Sequence, residues 1–151
     1  MPSGSTTARV PAEKYGKEYH RAFDAAIEKA LGRKGKSNGG VLQFSFPRAE
    51  PVSQDGMSIP PAMGTATAIN FQPTGAGKAA ITGDFVLIGS EVNPVLRTLR
   101  DNGIEVSALH SHMIGDSPHL YFMHFWADAD AQRLARGLRA ALDRVSIAQE
   151  R

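Results

Sequence analysis

Two hydrophobic periods divide the chain into predicted helices and strands. Apolar residues recur at three- and four-residue spacing over residues 11–31, 91–102 and 130–145, which predicts three amphipathic helices. Shorter runs rich in β-branched and aromatic residues predict strands over residues 41–46, 65–71, 78–88, 104–113 and 120–126. Residues 1–10 follow neither period and are interpreted as a flexible lead.

Local signals mark the ends of the helices. Pro11 suits a first helical turn, and Gly32 suits the left-handed position after a last turn. Ser90 can begin the middle helix, Gly103 ends it, and Asp128 or Asp130 can cap the last one. The helix boundaries are therefore expected close to these residues.

The order of these elements predicts an α+β fold. The C-terminal half runs β-α-β-β-α, and the earlier strands add to a mostly antiparallel sheet. Residues 48–61 contain three prolines and a glycine, which indicates a loop or an irregular edge strand. Residues 11–151 are expected to form a single domain whose helices pack on one face of the sheet.

Composition narrows the functional classes. The 151 residues are 42% hydrophobic and 21% charged, values ordinary for a globular domain. A formal charge of +2, with dispersed basic residues, argues against a nucleic-acid partner. The lack of cysteine excludes disulfides, thiolate zinc sites and iron–sulfur clusters. No run approaches the roughly 20 apolar residues of a transmembrane helix, and the first residues lack a signal-peptide pattern.

Four of the five histidines fall within fifteen residues of one predicted hairpin: His110, His112, His119 and His124. Side chains alternate in a strand, so His110 and His112 share a face, with Cβ atoms about 6.5–7 Å apart. Two imidazoles can close that span onto one ion. The hairpin therefore predicts a divalent-metal site, with zinc as the expected ion.

The third histidine depends on the register of the hairpin. In an antiparallel pair, an even sum of facing residue numbers places His124 on the face of His110 and His112, and an odd sum places His119 there. His124 is preferred, in a turn that sets it opposite His110. His119 follows Pro118 in the turn and is expected to face solvent. The opposite face, with Leu109 and Met113 among its residues, is expected to pack on the helices.

Two carboxylates are candidate additional ligands, Asp116 in the turn and Glu91 at the start of the middle helix. Each also has a structural explanation, because aspartate forms turns and acids offset the dipole at a helix N-terminus. Glu91, Asp116 or Glu105 could act as general base in a metal-dependent enzyme. The sequence itself shows no serine–histidine arrangement, phosphate loop or zinc-protease helix.

The same hairpin resembles the LppY/LpqO family of bacterial proteins, first noticed among predicted mycobacterial lipoproteins. The resemblance covers residues 26–142 and rests on these stretches: Leu31-Gly-Arg-Lys-Gly35, Gly83-Asp-Phe-Val-Leu87, Glu91-Val-Asn-Pro-Val95, Gly103-Ile-Glu-Val106, Leu109-His-Ser-His112, Ser117-Pro118 and Met123-His124. The family hairpin contains an H-x-H pair, which His110 and His112 match. It continues with a turn that holds an acid and Ser-Pro, matched by Asp116 and Pro118, and then Met-His, matched at His124.

Two positions depart from the family pattern. His119 stands where relatives often have arginine, and Phe125 follows His124 where relatives often have another histidine. Many relatives carry export signals, and some are associated with metal- or oxyanion-resistance loci. The resemblance therefore implies an exported or periplasmic protein with an accessory role in metal or oxyanion handling, and a cytoplasmic location is the alternative.

Three functions follow as hypotheses. The first is a divalent-metal-binding module without turnover, and the second is a metal-dependent, hydrolase-like enzyme at the same histidines. The third is an interaction domain that holds no metal and whose histidines are incidental.

Overall fold

A computed structural model describes residues 15–150, so the predicted flexible lead over residues 1–10 and the helix start at Pro11 lie outside the described residues. The elements in chain order are α1 (Lys17–Leu31), β1 (Lys36–Asn38), β2 (Val41–Pro47), β3 (Ser53–Gln54), β4 (Met57–Ser58), β5 (Ala66–Gly75), β6 (Lys78–Leu87), α2 (Gly89–Asp101), β7 (Glu105–His110), β8 (Asp116–Ser117), β9 (Tyr121–Asp130) and α3 (Ala131–Leu142). None of the described helices is both long enough and apolar enough to cross a membrane.

The strands form one large and one small sheet. The large sheet has the order β1-β2-β5-β6-β9-β7, and each neighbouring pair is antiparallel. The small sheet has the order β4-β3-β8. The predicted α+β single domain and its C-terminal β-α-β-β-α order are confirmed, with the two-residue β8 added inside the predicted turn.

All three helices cover one face of the large sheet, which is the helix face. Alternation in β9 sends Met123, Phe125 and Ala127 into the main core, where they meet buried residues of α1, α2 and α3. The helices supply the other side of this core through their apolar faces. Examples are the fully buried side chains of Ile27, Leu99 and Leu138. The main core is therefore the product of the two hydrophobic periods seen in the sequence.

The opposite face of the sheet, the outer face, is covered only in part. Where β3, β4 and β8 and their loops lie over it, a second cluster buries Val52, Ile59, Val86, Leu120 and Phe122. Beyond that cluster the outer face is polar. Amide and hydroxyl side chains form a hydrogen-bonded row across four strands: Asn38, Gln43, Asn70 and Thr82.

The register of the hairpin agrees with the predicted parity but not with the predicted pairing. Ala108 pairs with His124 and His110 pairs with Phe122, and both pairs belong to an even-sum register. Val106, earlier in β7, pairs with Phe125 in an odd-sum register. A bulge at Ser107 separates the two. His110 is thus one diagonal step from His124 rather than directly opposite it.

The predicted burial of the hairpin is wrong at two residues. Leu109 and Met113 remain 44% and 38% exposed. β7 is the edge strand of the sheet, and it ends at His110 rather than at residue 113. The far end of this strand therefore projects beyond the cover of the helices.

Glu91 belongs to a buried ion pair and not to the histidine hairpin. Arg48, 6% exposed, donates from Nη1 to Glu91 Oε1 at 2.7 Å and from Nη2 to Glu91 Oε2 at 3.2 Å, and it also pairs with Glu50. The Glu91 carboxylate accepts further bonds from the backbone N–H groups of Ile88 and Ser146. Glu91 is therefore a structural residue that joins α2 to β2 and the C-terminal segment.

Arg48→Met should destabilise the protein by about 3–5 kcal/mol, because it leaves the Glu91 carboxylate buried without its partner. Thermal unfolding should show the loss as a fall in Tm of about 2–4 °C per kcal/mol. Lys34→Met is the matched control, since Lys34 is 88% exposed and its pair with Glu28 is long, at 4.0 Å. That control should cost less than about 1 kcal/mol. Equal losses in the two variants would contradict the assignment.

Candidate metal centre

Three of the predicted ligands converge on the outer face of the sheet. His110 is the last residue of β7, His112 lies two residues further on, and His124 lies in the middle of β9. One ring nitrogen of each lies within 4.8 Å of the others, and the Nε2 atoms of His110 and His124 are 3.0 Å apart. The hairpin thus brings together the three histidines that parity reasoning selected.

Packing holds the three rings in position. The His112 ring stacks on Phe122, with centroids 3.5 Å apart and planes 7° from parallel. The His110 ring lies between its partners, with centroids 5.0 Å from His112 and 4.9 Å from His124. Ala108, directly opposite His124, carries only a methyl group. Phe122 belongs to the second cluster, so the buried part of the outer face supports the histidines from one side.

The nitrogen separations fit coordination of one ion. A tetrahedral zinc ion with Zn–N bonds of about 2.0–2.1 Å places its ligand nitrogens about 3.3 Å apart. The 3.0 Å between His110 and His124 is close to that value, and the 4.8 Å limit for the set requires only a small movement of one ring. His110 and His112 are both exposed, so such a movement would not disturb the core.

Asp84 is a carboxylate of this site that the sequence reasoning missed. The register of β6 and β9 places it directly opposite His124, on the outer face. Burial raises the pKa of the Asp84 carboxyl, and the neighbouring His124, His112 and His110 lower it in part. The signal was an acid inside an otherwise apolar strand, and it becomes informative only once β6 and β9 are known to be neighbours.

Gly83 allows the strands around Asp84 to approach closely. Its φ is 155°, and a Cβ at this position would lie 2.0 Å from the carbonyl oxygen of Ala68 on β5 and 2.8 Å from the ring of Phe125. Only glycine fits such contacts without a shift of the backbone. The Gly83-Asp84 pair therefore combines close strand packing with a carboxylate beside the histidines.

The electrostatics of the cluster favour a neutral ring at His112. Contact with Phe122 removes water from one side of the ring, and this partial burial lowers the pKa of His112. The nearby His110 and His124 lower it further, while Asp84 raises it. Since only the deprotonated imidazole binds a metal, the lowered pKa keeps His112 available as a ligand at neutral pH.

The remaining predicted residues lie apart from the cluster. The Asp116 carboxylate is buried, and it accepts from the Leu120 N–H at 3.1 Å and contacts His119 Nδ1 at 2.6 Å. His119 is therefore half-buried beside Asp116 rather than free in solvent. The other ring nitrogen of His119 lies 3.1 Å from Ser111 Oγ. This contact corrects the expectation that the chain has no serine–histidine arrangement, since the turn between β7 and β9 brings together two residues that match no serine–histidine motif in the sequence.

A shallow groove with both polar and apolar lining adjoins the histidines on the outer face. Its lining includes Asn70, Thr82, Asp84, Ser107 and His124 together with the 46% exposed ring of Trp126. His124 and Asp84 therefore face both the histidine cluster and an accessible groove. A molecule in this groove could reach an ion held by the histidines.

Comparison with known proteins finds no match among curated proteins and none among solved structures. A family model described as Domain of Unknown Function (DUF1259) matches residues 25–144. The matched residues include the three clustered histidines, Asp84 and the whole hairpin. Because the match covers most of the chain, this protein belongs to the DUF1259 family of unknown function.

Proposed function

We propose that the protein is a divalent-metal-binding module whose ion is held by His110, His112 and His124. The observation that carries the proposal is the convergence of three imidazole nitrogens within 4.8 Å on one face of the sheet. Each comes from a different point of the hairpin, so the register and the stacking on Phe122 together create the cluster. Three histidines meet the ligand requirement of many zinc sites.

The alternative explanation is that the rings simply pack together. Two neutral imidazoles 3.0 Å apart can share only one hydrogen bond, and this fixes one ring as donor and the other as acceptor. If both His110 and His124 were protonated, two donors would face each other and repel. A bound cation removes this conflict, because both nitrogens then act as electron-pair donors to the ion.

Zinc is the divalent ion that we propose, and three imidazoles are a suitable donor set for it. Imidazole suits zinc, copper, nickel and iron, and a carboxylate beside it extends the choice to manganese. In the part of the chain that the structure describes, Asp84 is the carboxylate placed next to the cluster by strand register. It can accept a hydrogen bond from a ligand imidazole or from a water on the ion.

A metal-dependent hydrolase is the second candidate, and the groove beside His124 favours it. Three protein ligands leave a coordination position for water or substrate. Of the general bases expected from the sequence, Glu91 is bound to Arg48, Asp116 contacts His119, and Glu105 pairs with Trp126 on the far side of the bulge. Asp84 takes their place as the candidate base.

The accessory role rests on the LppY/LpqO resemblance, which stays a prediction. Metal or oxyanion handling in an exported or periplasmic setting is consistent with a site that binds an ion near an accessible surface. An interaction domain without metal is the remaining alternative, and metal content after native purification separates it from the other two.

Replacing both His110 and His112 by alanine should abolish stoichiometric metal uptake, because one imidazole cannot hold the ion alone. Elemental analysis of untagged protein, purified without chelator, measures this directly. His20→Ala is the control, since His20 lies on α1 and outside the cluster, and it should leave uptake unchanged. Full uptake by the double variant would exclude these ligands.

Metal affinity should be constant near pH 7–8 and fall below about pH 6. Protons compete with the ion for imidazole, and the lowered pKa of His112 moves that competition below the ordinary value of about 6.5. Competition with a chromophoric chelator at pH 5 and pH 7.5 measures the change. Equal affinity at the two pH values would count against histidine ligation.

Asp84→Asn should have opposite effects on metal affinity and on the stability of the metal-free protein. Removing a carboxylate that orients the site typically weakens metal binding about 10- to 100-fold. The folded-state pKa of Asp84 is raised above its ordinary 3.8, so its contribution to stability is present at low pH and is lost as pH rises through the folded value. At pH 7 the neutral asparagine therefore raises Tm.

The two effects of Asp84→Asn are measured by zinc titration and by thermal unfolding in chelator. Thr82→Val, on the same strand and face, is the control and should leave zinc affinity unchanged. A variant that loses both affinity and stability would show that Asp84 is needed for folding rather than for the site.

A further inference from the structure

A second constellation lies on the connection between β7 and β9, apart from the proposed metal ligands. Ser111 Oγ lies 3.1 Å from His119 Nε2, and His119 Nδ1 lies 2.6 Å from Asp116 Oδ1. The second carboxylate oxygen of Asp116 accepts the Leu120 N–H at 3.1 Å. A hydroxyl, an imidazole and a carboxylate are thus joined in line through both nitrogens of one ring.

The hydrogen-bond roles in this line follow from the carboxylate. An ionised Asp116 can only accept, so His119 Nδ1 must carry the hydrogen that is shared with it. In the neutral imidazole Nε2 is then the acceptor, and it faces the hydroxyl of Ser111. The Ser111 O–H is therefore directed at a base that is held in the correct tautomer, as nucleophilic serines require.

Burial decreases along the same line. The Asp116 side chain is 2% exposed, the His119 side chain is 39% exposed, and Ser111 is exposed. The edge of the His119 ring also packs against Tyr121, with centroids 5.0 Å apart and planes at 79°. The orienting acid is thus fixed in the protein, while the hydroxyl is open to a substrate.

Support of the turn accounts for only part of this arrangement. Asp116 already stabilises the turn through the Leu120 N–H and through the pairing of β8 with β3. An exposed serine hydroxyl can bond to water and needs no imidazole partner. The contact between Ser111 and His119 is therefore additional to the bonds that support the turn.

We infer that Ser111, His119 and Asp116 form a nucleophile–base–acid relay that hydrolyses carboxylic esters of small acyl groups. Ser111 Oγ attacks the ester carbonyl carbon, and His119 Nε2 takes the hydroxyl proton. The carbonyl–alkoxy bond breaks, His119 returns the proton to the departing alkoxide, and the acyl group remains on Ser111. Water, activated by the same nitrogen, then attacks the acyl-serine and releases the acid and the free hydroxyl.

The roles within the relay differ. Ser111 is the catalytic nucleophile and His119 is the general base, whereas Asp116 is a positioning residue that acts through His119. Ser111 lies between His110 and His112 in sequence, so the serine and the proposed metal ligands share one edge of the sheet. The relay does not require the ion, because its three bonds are made by protein groups alone.

The test is covalent labelling of the full chain with a fluorophosphonate, read by peptide mass spectrometry, together with hydrolysis of p-nitrophenyl acetate. The label should form on Ser111 with loss of fluoride, and Ser111→Ala should abolish it and lower ester turnover at least 100-fold. Ser117→Ala, an exposed serine of the same connection, is the matched control and should keep both activities. Label on another residue, or none on the wild-type chain, would overturn the inference.

The positioning role of Asp116 has its own readout. Asp116→Asn should lower kcat more than tenfold with KM little changed, because the wrong tautomer of His119 then faces Ser111. If this variant does not fold, Ser111→Cys tests whether His119 activates the residue at position 111. Its thiol should remain reactive towards the ester, while Ser111→Ala is inert. An inert cysteine variant in a folded protein would contradict activation by His119.

The metal proposal and the relay are separated by chelation. This treatment should remove the ion and leave labelling of Ser111 unchanged, since the relay is made of protein groups alone. Loss of labelling under chelation would assign the reactivity to the metal centre and overturn the relay. Retained labelling with no metal uptake by the wild-type chain would instead overturn only the metal proposal.

Discussion

The register between β6 and β9 determines which side chains reach each face of the sheet. Ten consecutive residue pairs join these strands without a bulge, from Lys78 with Asp130 to Leu87 with Tyr121. On the helix face this register matches Phe85 with Met123 in the core, and on the outer face it matches Asp84 with His124. A slip of one residue would exchange the two faces, burying the acid and the histidine under the helices. The main core therefore enforces the position of the site.

The bulge at Ser107 is the second geometric feature on which the histidine cluster depends. The bulge changes the sum of facing residue numbers between β7 and β9 from odd to even. The residues of β7 before Ser107 therefore follow one register and the residues after it follow another. Without the bulge, the odd-sum register would continue, and His110 would face the helix side of the sheet. An edge strand can carry such an irregularity because only one of its sides is paired. The location of β7 at the edge is thus what permits a histidine cluster beside a packed core.

Much of the fold and part of the site could be predicted because they depend on local periods. Residues 91–102 and 130–145 carried their helical pattern in sequence. Alternation placed His110 and His112 on one face, and His124 was preferred over His119 as the third histidine. Asp84 could not be identified in the same way, because it meets His124 through a pairing between strands nearly forty residues apart. The ion pair of Glu91 could not be predicted either, because its partner, Arg48, lies 43 residues earlier in the sequence and meets it only on folding. Local patterns carry no information about such distant partners.

The proposed metal site and the proposed serine relay lie on opposite sides of the same short segment, residues 110–112. Residues His110 and His112 turn towards His124, and the residue between them, Ser111, contacts His119 instead. The buried carboxylate of Asp116 keeps His119 on that second side, so the ring that parity reasoning set aside is withheld from the ion. A histidine bound tightly to a carboxylate can support a ligand or act as a base, but its Nδ1 is no longer available to a metal. The separation of the four histidines into three and one therefore depends on the strand register for the three and on the bond from Asp116 for the fourth.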